Sequence, residues 1–207
     1  STADHLDDAV RAFDRVLELD RRCARAFFER GDALARMGKP LEAVVSYDKA
    51  LELTPGDAKA LFHKGIALAQ REKYDDAIKA FEKALLLEPD DAEGLYYLGI
   101  ALTGRERYHE SISAFDRSLA LDPANALAHH YRGIALFQAE QPDEAIGAFN
   151  LALERDPANA FSHYYLGLAH LQLKHFSETI SSLDRAIALD PGMTDAYMYR
   201  GIALAAT

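Results

Sequence analysis

Eight histidines and one cysteine are the residues of this chain best suited to binding a metal ion. His129 and His163 occupy equivalent positions in neighbouring copies of a repeated unit, and His163 and His170 are two turns apart on one predicted helix. No pair of cysteines or histidines has the close spacing of a zinc site, and no His-Glu-x-x-His motif occurs. We therefore predict no metal site, and we expect these histidines to stand in for large packing residues.

Motifs that carry catalysis are also missing from the sequence. There is no phosphate-binding loop, no nucleophile elbow and no dinucleotide-binding glycine pattern. The recurring Gly-x-Ala-Leu, as at Gly65–Leu68, is explained better by helix packing than by a cofactor turn. The sequence therefore predicts a chain that is not an enzyme and that needs no cofactor.

A single fixed interval organises the chain. Glycines recur at this interval, at Gly31, Gly65, Gly99, Gly133, Gly167 and Gly201. Prolines keep the same interval, at Pro55, Pro89, Pro123, Pro157 and Pro191. Between glycine and proline, a small residue precedes a ring by four positions, as Ala77 precedes Phe81. Such a period predicts one supersecondary unit repeated along the chain.

Each period is predicted to form two helices, and we call the first of them helix A and the second helix B. Its apolar residues recur at steps of three and four, which is helical spacing, and the proline ends the second helix. Asp57, Asp91, Asn125 and Asn159 stand where an N-cap is expected. We predict a single array over residues 1–207. Its parts are a half repeat (helix B) at 1–23, full repeats at 24–57, 58–91, 92–125, 126–159 and 160–193, and a half repeat (helix A) at 194–207.

Composition excludes some classes of partner. The formal net charge of −10 argues against a nucleic-acid surface, which needs clustered lysine and arginine. No apolar run reaches the roughly 18 residues of a membrane span, so we expect no membrane insertion. A single cysteine fits a reducing, cytoplasmic location, although a cysteine-poor secreted protein would look the same. Ser1 in place of methionine suggests a chain excised from a longer one.

Over essentially its whole length, the chain resembles the tetratricopeptide repeat family. The family pattern is a large residue, a leucine-glycine pair, a tyrosine, an alanine, an aromatic residue, an alanine and a proline. Here the spacing is kept through five repeats, although Arg21 replaces one proline, and Thr179 and Leu183 replace an alanine and its aromatic partner. The resemblance implies an all-α, right-handed superhelical solenoid of antiparallel helix pairs.

The resemblance also implies a concave groove, lined by helix A residues, that holds a peptide. Three positions of each repeat form what we call the groove set. The first position holds Arg25, Lys59, Glu93, Leu127 and Phe161. The second holds Phe28, Phe62, Tyr96, His130 and Tyr164. The third holds Asp32, Ile66, Ile100, Ile134 and Leu168.

The groove set changes from polar to apolar and aromatic along the chain. An apolar groove in water is typical of a binding surface, but neighbouring helices could instead cover these residues and make them core. Family members that bind the acidic tails of heat-shock chaperones use lysine and asparagine at the second and third positions, and neither occurs there. Arg25 and Lys59 could still hold one carboxylate.

Tyrosines one repeat apart form a second column: Tyr97, Tyr131, Tyr165 and Tyr199. Their hydroxyls could bind a peptide backbone, or their rings could pack between repeats with the hydroxyls at the rim. We favour packing, because a phenol gives a large contact area and keeps one polar atom for water.

The function that we predict is a non-catalytic protein–protein interaction scaffold that binds a peptide segment. One alternative is a regulatory or docking array cut from a larger enzyme. Another is a self-assembling structural scaffold, in which residues 194–207 of one molecule dock head to tail against residues 1–23 of the next.

Overall fold

The computed structural model describes residues 2–207, with side chains from His5 onward. Ser1, the first residue of the predicted half repeat at 1–23, lies outside the described residues. Every regular element from Thr2 to Thr207 is an α-helix, which confirms the predicted all-α repeat fold. The chain forms two compact units, of which the first ends at Arg105 and the second spans Glu106–Thr207.

The N-terminal unit is built from successive helices packed on their neighbours. Its helices are α1 (Thr2–Leu19), α2 (Ala24–Arg36), α3 (Pro40–Leu53), α4 (Ala58–Ala69), α5 (Tyr74–Leu87) and α6 (Ala92–Gly104). The carboxylate of Asp57 accepts a hydrogen bond from the backbone N–H of Ala60, and that of Asp91 accepts one from Glu93. These bonds satisfy amides that a helix start leaves unpaired, as the sequence predicted.

The C-terminal unit repeats this arrangement. Its helices are α7 (Tyr108–Leu121), α8 (Ala126–Gln138), α9 (Pro142–Arg155), α10 (Ala160–Gln172), α11 (Phe176–Leu189) and α12 (Thr194–Ala205). The amide oxygen of Asn125 accepts from the backbone N–H of Ala128, and that of Asn159 from Ser162. Both predicted asparagine caps are therefore present.

Close contact between a glycine and a ring joins the two helices of a repeat. A Cβ atom placed on Gly65 would lie 2.5 Å from the ring of Phe81, and one on Gly133 would lie 2.6 Å from the ring of Phe149. Both rings are fully buried. At Gly167 the partner is Leu183, the residue that departs from the aromatic pattern. Any larger residue at the glycine position would overlap the partner side chain, so the close packing of the two helices requires glycine.

The turn after helix A uses a left-handed residue at a fixed place. Gly38 takes φ 72°, and Glu72, Glu140 and Lys174 take φ between 57° and 61°. The amide of the residue that follows then bonds back across the turn, as His175 N–H does to the carbonyl of His170 at 2.9 Å. This 6→1 bond is the Schellman ending of a helix. Only the first of these turns has a glycine at the left-handed position, so only there does the residue type indicate this backbone conformation.

Replacing Gly133 by alanine is expected to lower the free energy of unfolding by up to about 2 kcal/mol. Overpacking against Phe149 costs about 1–3 kcal/mol, and better helix propensity returns about 1 kcal/mol. Gly147 is the matched control, because it is exposed on α9 of the same unit and no described atom lies within 4 Å of its added Cβ. Gly147→Ala is expected to stabilise the chain by up to about 1 kcal/mol. Urea unfolding followed by circular dichroism measures both, and equal effects would contradict the packing argument.

Candidate functional site

The first position of the groove set is exposed in both units. In the N-terminal unit it carries three charged residues, Arg25, Lys59 and Glu93. In the C-terminal unit it carries Leu127 on α8 and Phe161 on α10, which are 49% and 59% exposed. Two large apolar side chains therefore face water at equivalent places on alternate helices of one unit.

The second position is divided between half-buried and buried residues. Phe62, Tyr96 and Tyr164 are half-buried, whereas Phe28 and His130 are buried. Phe28 and His130 are therefore core residues of their units. The sequence had left open whether groove-set residues would be covered in this way.

Residues of the next helix A explain this burial. The ring of His63 lies 5.4 Å from that of Phe28, and the ammonium of Lys59 lies 5.1 Å from the same ring. The ring of Tyr165 lies 6.1 Å from that of His130. Nδ1 of His130 is also hydrogen-bonded to the hydroxyl of Ser162 at 2.8 Å. Burial lowers the pKa of His130 to about 4, so this imidazole is neutral near pH 7.

The third position is half-buried throughout. It holds Asp32, Ile66 and Ile100 in the N-terminal unit, and Ile134 and Leu168 in the C-terminal unit. The four aliphatic residues keep part of their side chains accessible beside the second position. They therefore extend the apolar surface within each unit.

Asp32 is the polar exception and ties three helices together. Its carboxylate accepts hydrogen bonds from the hydroxyl of Tyr47 at 2.7 Å and from Nδ1 of His63 at 2.9 Å. Burial by itself would raise the pKa of Asp32, but these two hydrogen bonds outweigh it and the pKa falls below its usual range. Burial and the neighbouring Asp32 raise the pKa of Tyr47. The carboxylate is thus held as a structural acceptor between α2, α3 and α4.

The tyrosine column packs against rings of its own unit. Tyr97 is stacked on Phe81, with ring centroids 6.2 Å apart, and Tyr165 is stacked on Phe149 at 5.9 Å. Tyr199 approaches Tyr164 with centroids 6.2 Å apart. These contacts are the packing that we favoured for the column.

Two of the histidines, one buried and one half-buried, each bond to the carbonyl of a proline six residues earlier. Nε2 of His129 lies 3.1 Å from the carbonyl of Pro123, and Nε2 of His163 lies 3.1 Å from that of Pro157. A carbonyl only accepts, so each Nε2–H is the donor. Burial lowers the pKa of both imidazoles. Within residues 2–207, no three His, Cys, Asp or Glu side chains are grouped to hold a metal ion. In the same part of the chain, no helix has both the length and the apolar character needed to cross a membrane.

A column of ion pairs was not predicted from the sequence. In each pair, a basic residue of helix A contacts an aspartate of the preceding helix B. The guanidinium of Arg30 lies 2.7 Å from Asp14, the ammonium of Lys64 lies 2.5 Å from Asp48, and Arg132 lies 2.6 Å from Asp116. Arg200 and Asp184 form the same pair. The separation in sequence is the same in every pair, but opposite charges at that distance along the chain point to no particular contact without the tertiary structure.

Comparison with known proteins agrees with this repeat structure. The family model of the tetratricopeptide repeat matches residues 2–58, 62–126, 101–160 and 130–194. No curated protein sequence matches the chain.

Several solved structures are similar to the chain in fold. The crystal structure of YrrB, described as a TPR protein with an unusual peptide-binding site, is 26% identical with a TM-score of 0.80, over 93% of this chain and 99% of YrrB. MamA (41-end) from Desulfovibrio magneticus RS-1 is 24% identical with a TM-score of 0.78, over 83% of this chain and 97% of that one. A chain of the APC/C hetero-tetramer Cut9–Hcn1 is 21% identical with a TM-score of 0.77, over 97% of this chain and 40% of that one.

The repeated glycine–ring contacts, the capped helix pairs and the family matches over most of the sequence agree with one another. The chain belongs to the tetratricopeptide repeat family.

Proposed function

We propose that the chain is a protein–protein interaction module that binds a peptide segment of a partner along the groove set. The observation that carries this proposal is the exposure of Leu127 and Phe161 at the same position of α8 and α10. Burying each of these side chains removes apolar surface from water, which stabilises a complex by about 25 cal/mol per Å² before the cost of association. The peptide-binding site named for YrrB supports the same role.

The side chains of the groove set suggest which groups of a bound peptide would contact each unit. In the C-terminal unit, Leu127, Phe161 and Leu168 suit apolar side chains of a guest. Burial raises the pKa of Tyr164 to about 12, so its hydroxyl stays protonated and can donate to a backbone carbonyl. In the N-terminal unit, Arg25 and Lys59 are exposed cations that can meet a carboxylate.

Leu127→Ala and Phe161→Ala are each expected to weaken peptide binding about tenfold or more, since burying a leucine or phenylalanine side chain contributes about 1.5–3 kcal/mol. The probe is a peptide selected on the intact chain from a displayed random library, with its affinity measured by fluorescence anisotropy. Leu151→Ala is the matched control, because Leu151 is a partly exposed leucine on α9 of the same unit and lies outside the groove set. This control is expected to bind as the unchanged chain does.

A second pair of substitutions tests the aromatic residues of the groove set in both units. Tyr96→Ala combined with Tyr164→Ala is expected to abolish binding while the helical circular-dichroism signal is kept. If the double variant binds normally, or if Leu151→Ala weakens binding as much as Leu127→Ala, the groove assignment is wrong.

A further inference from the structure

A cavity in the N-terminal unit lies apart from the groove set. It has a volume of about 400 Å³ and is formed by α3, α4 and α5. The α4 residues that line it are Leu61, Lys64 and Leu68, which follow one another at steps of three and four and therefore share one face of that helix. None of the lining residues belongs to the groove set, so a guest can occupy this cavity without using the groove.

Lysines dominate the charged part of the lining, and we call this site the lysine cavity. The four lysines are Lys64 of α4, Lys73 of the turn before α5, and Lys79 and Lys83 of α5. The carboxylates that line the cavity come from Asp48 and Asp76. Twice as many cations as anions therefore meet here, in a chain whose formal net charge is −10.

Both aspartates of the lysine cavity are already paired with a lysine. The carboxylate of Asp48 lies 2.5 Å from the ammonium of Lys64, which is one of the ion pairs between helix A and the preceding helix B. The carboxylate of Asp76 lies 3.7 Å from the ammonium of Lys79, three residues further along α5. These two pairs leave no carboxylate of the lining for the other two lysines.

Lys73 and Lys83 are the cations that remain. Both are exposed, and among the side chains that the structure describes neither has an ion-pair or hydrogen-bond partner. Glu82 of α5 is also exposed, but it does not line the cavity. The ammonium groups of Lys73 and Lys83 are therefore available to an anionic group from outside the chain.

The buried part of the lining is apolar. Leu61, Leu68 and Ala80 line the cavity and are only 5–8% exposed, and the half-buried Val44 lies beside them. A guest that covers this surface as well as the lysines must carry an apolar group next to its negative charges. Covering the apolar surface adds stability to the complex that a purely ionic contact lacks.

The equivalent cavity of the C-terminal unit has a different charge. It is formed by α9, α10 and α11 and has a volume of about 740 Å³. Leu166 and Ser181 stand there at the places of Lys64 and Lys79. Apart from a histidine, the ionisable residues of its lining are one arginine and one glutamate. The excess of cations is thus a property of the repeat at 58–91 and not of the repeat fold.

We propose that the lysine cavity binds an acidic segment of a partner protein, in which aspartate or glutamate residues flank an apolar side chain. The carboxylates of the segment meet Lys73 and Lys83, and its apolar side chain lies against Leu61 and Leu68. Inorganic phosphate would leave the apolar lining uncovered, and a nucleic acid is disfavoured by the net charge of −10. This site adds a second binding surface to the one proposed for the groove set.

Fluorescence anisotropy with a labelled peptide, in which glutamates flank a single leucine, tests the proposal. At an ionic strength of roughly 0.1 M, charges more than about 10 Å apart are largely screened, so the local lysines act more than the net charge of the chain. The peptide is expected to bind the unchanged chain, and its affinity is expected to fall as salt is added. Lys83→Glu is expected to weaken binding about tenfold or more, because it places a like charge against the guest.

Lys49→Glu is the matched control, because it changes the net charge of the chain by the same amount. Lys49 stands one repeat before Lys83, is likewise exposed on a helix B, and does not line the lysine cavity. It is already paired with Glu52 at 2.8 Å. This variant is expected to bind the peptide as the unchanged chain does, with circular dichroism used to verify that both variants are folded.

Two further probes test the chemistry of the guest. A peptide with serine in place of the leucine is expected to bind about tenfold more weakly, because it cannot cover the apolar lining. A single-stranded oligonucleotide of the same net charge is expected to bind more weakly than the leucine peptide. The proposal is overturned if the leucine peptide does not bind, if Lys83→Glu weakens binding no more than Lys49→Glu does, or if the serine peptide or the oligonucleotide binds as tightly.

Discussion

Replacing Phe149 by alanine is expected to lower the free energy of unfolding by about 3–5 kcal/mol. The ring is fully buried, fills the space beside Gly133 and is stacked on Tyr165 with an interplanar angle of 17°. Because a glycine has no side chain with which to close the gap, the cavity left by alanine cannot collapse readily. Urea unfolding of the intact chain, followed by circular dichroism, measures the loss.

Phe161 provides the matched control for this prediction. It is also a phenylalanine of the C-terminal unit, but it is 59% exposed. Phe161→Ala is expected to change the free energy of unfolding by no more than about 0.5 kcal/mol. Similar losses in the two variants would mean that Phe149 does not hold its unit together in the way described.

Lowering the pH from 7.5 to 5 is expected to cost about 2 kcal/mol of stability through His130 alone, rising to about 3 kcal/mol near pH 4. Burial lowers the pKa of this imidazole from 6.5 to about 4 in the folded chain. Between these values the unfolded chain binds the proton and the folded chain does not. Stability therefore rises with pH in this window and is lost as the pH falls through it. The measurement is the free energy of unfolding in urea at several pH values.

His130→Gln isolates this effect from the other titrating groups. Glutamine keeps a hydrogen-bonding group near Ser162 but cannot take up the proton. The variant is expected to be less stable at pH 7.5, because it loses ring packing, and to show a weaker dependence on pH. Burial also lowers the pKa of His129, His163 and His170, so part of the dependence remains. If the unchanged chain and the variant lose the same free energy between pH 7.5 and 5, the buried imidazole is not the cause.

The candidate site was only partly predictable because position in a repeat does not by itself determine exposure. Phe28 and Tyr164 share one position, yet one is buried and the other is half-buried. The difference depends on what the next helix A places above them, since His63 and Lys59 cover Phe28. Those neighbours lie in the following repeat, and the side-chain conformations that they adopt cannot be predicted from the sequence pattern.

The amino-acid sequence by itself determined that the chain is all α-helical, because glycine, ring, cap and proline recur at one interval and each has a local physical role. It also determined where the N-caps lie, since an aspartate or asparagine before an apolar helical pattern satisfies the first amides directly. Only the tertiary structure decided that Asp32 is held by Tyr47 and His63, and that His130 is buried and neutral. These features arise from contacts between separate helices, and the burial and pKa of a side chain depend on the atoms brought around it rather than on its own neighbours in the chain.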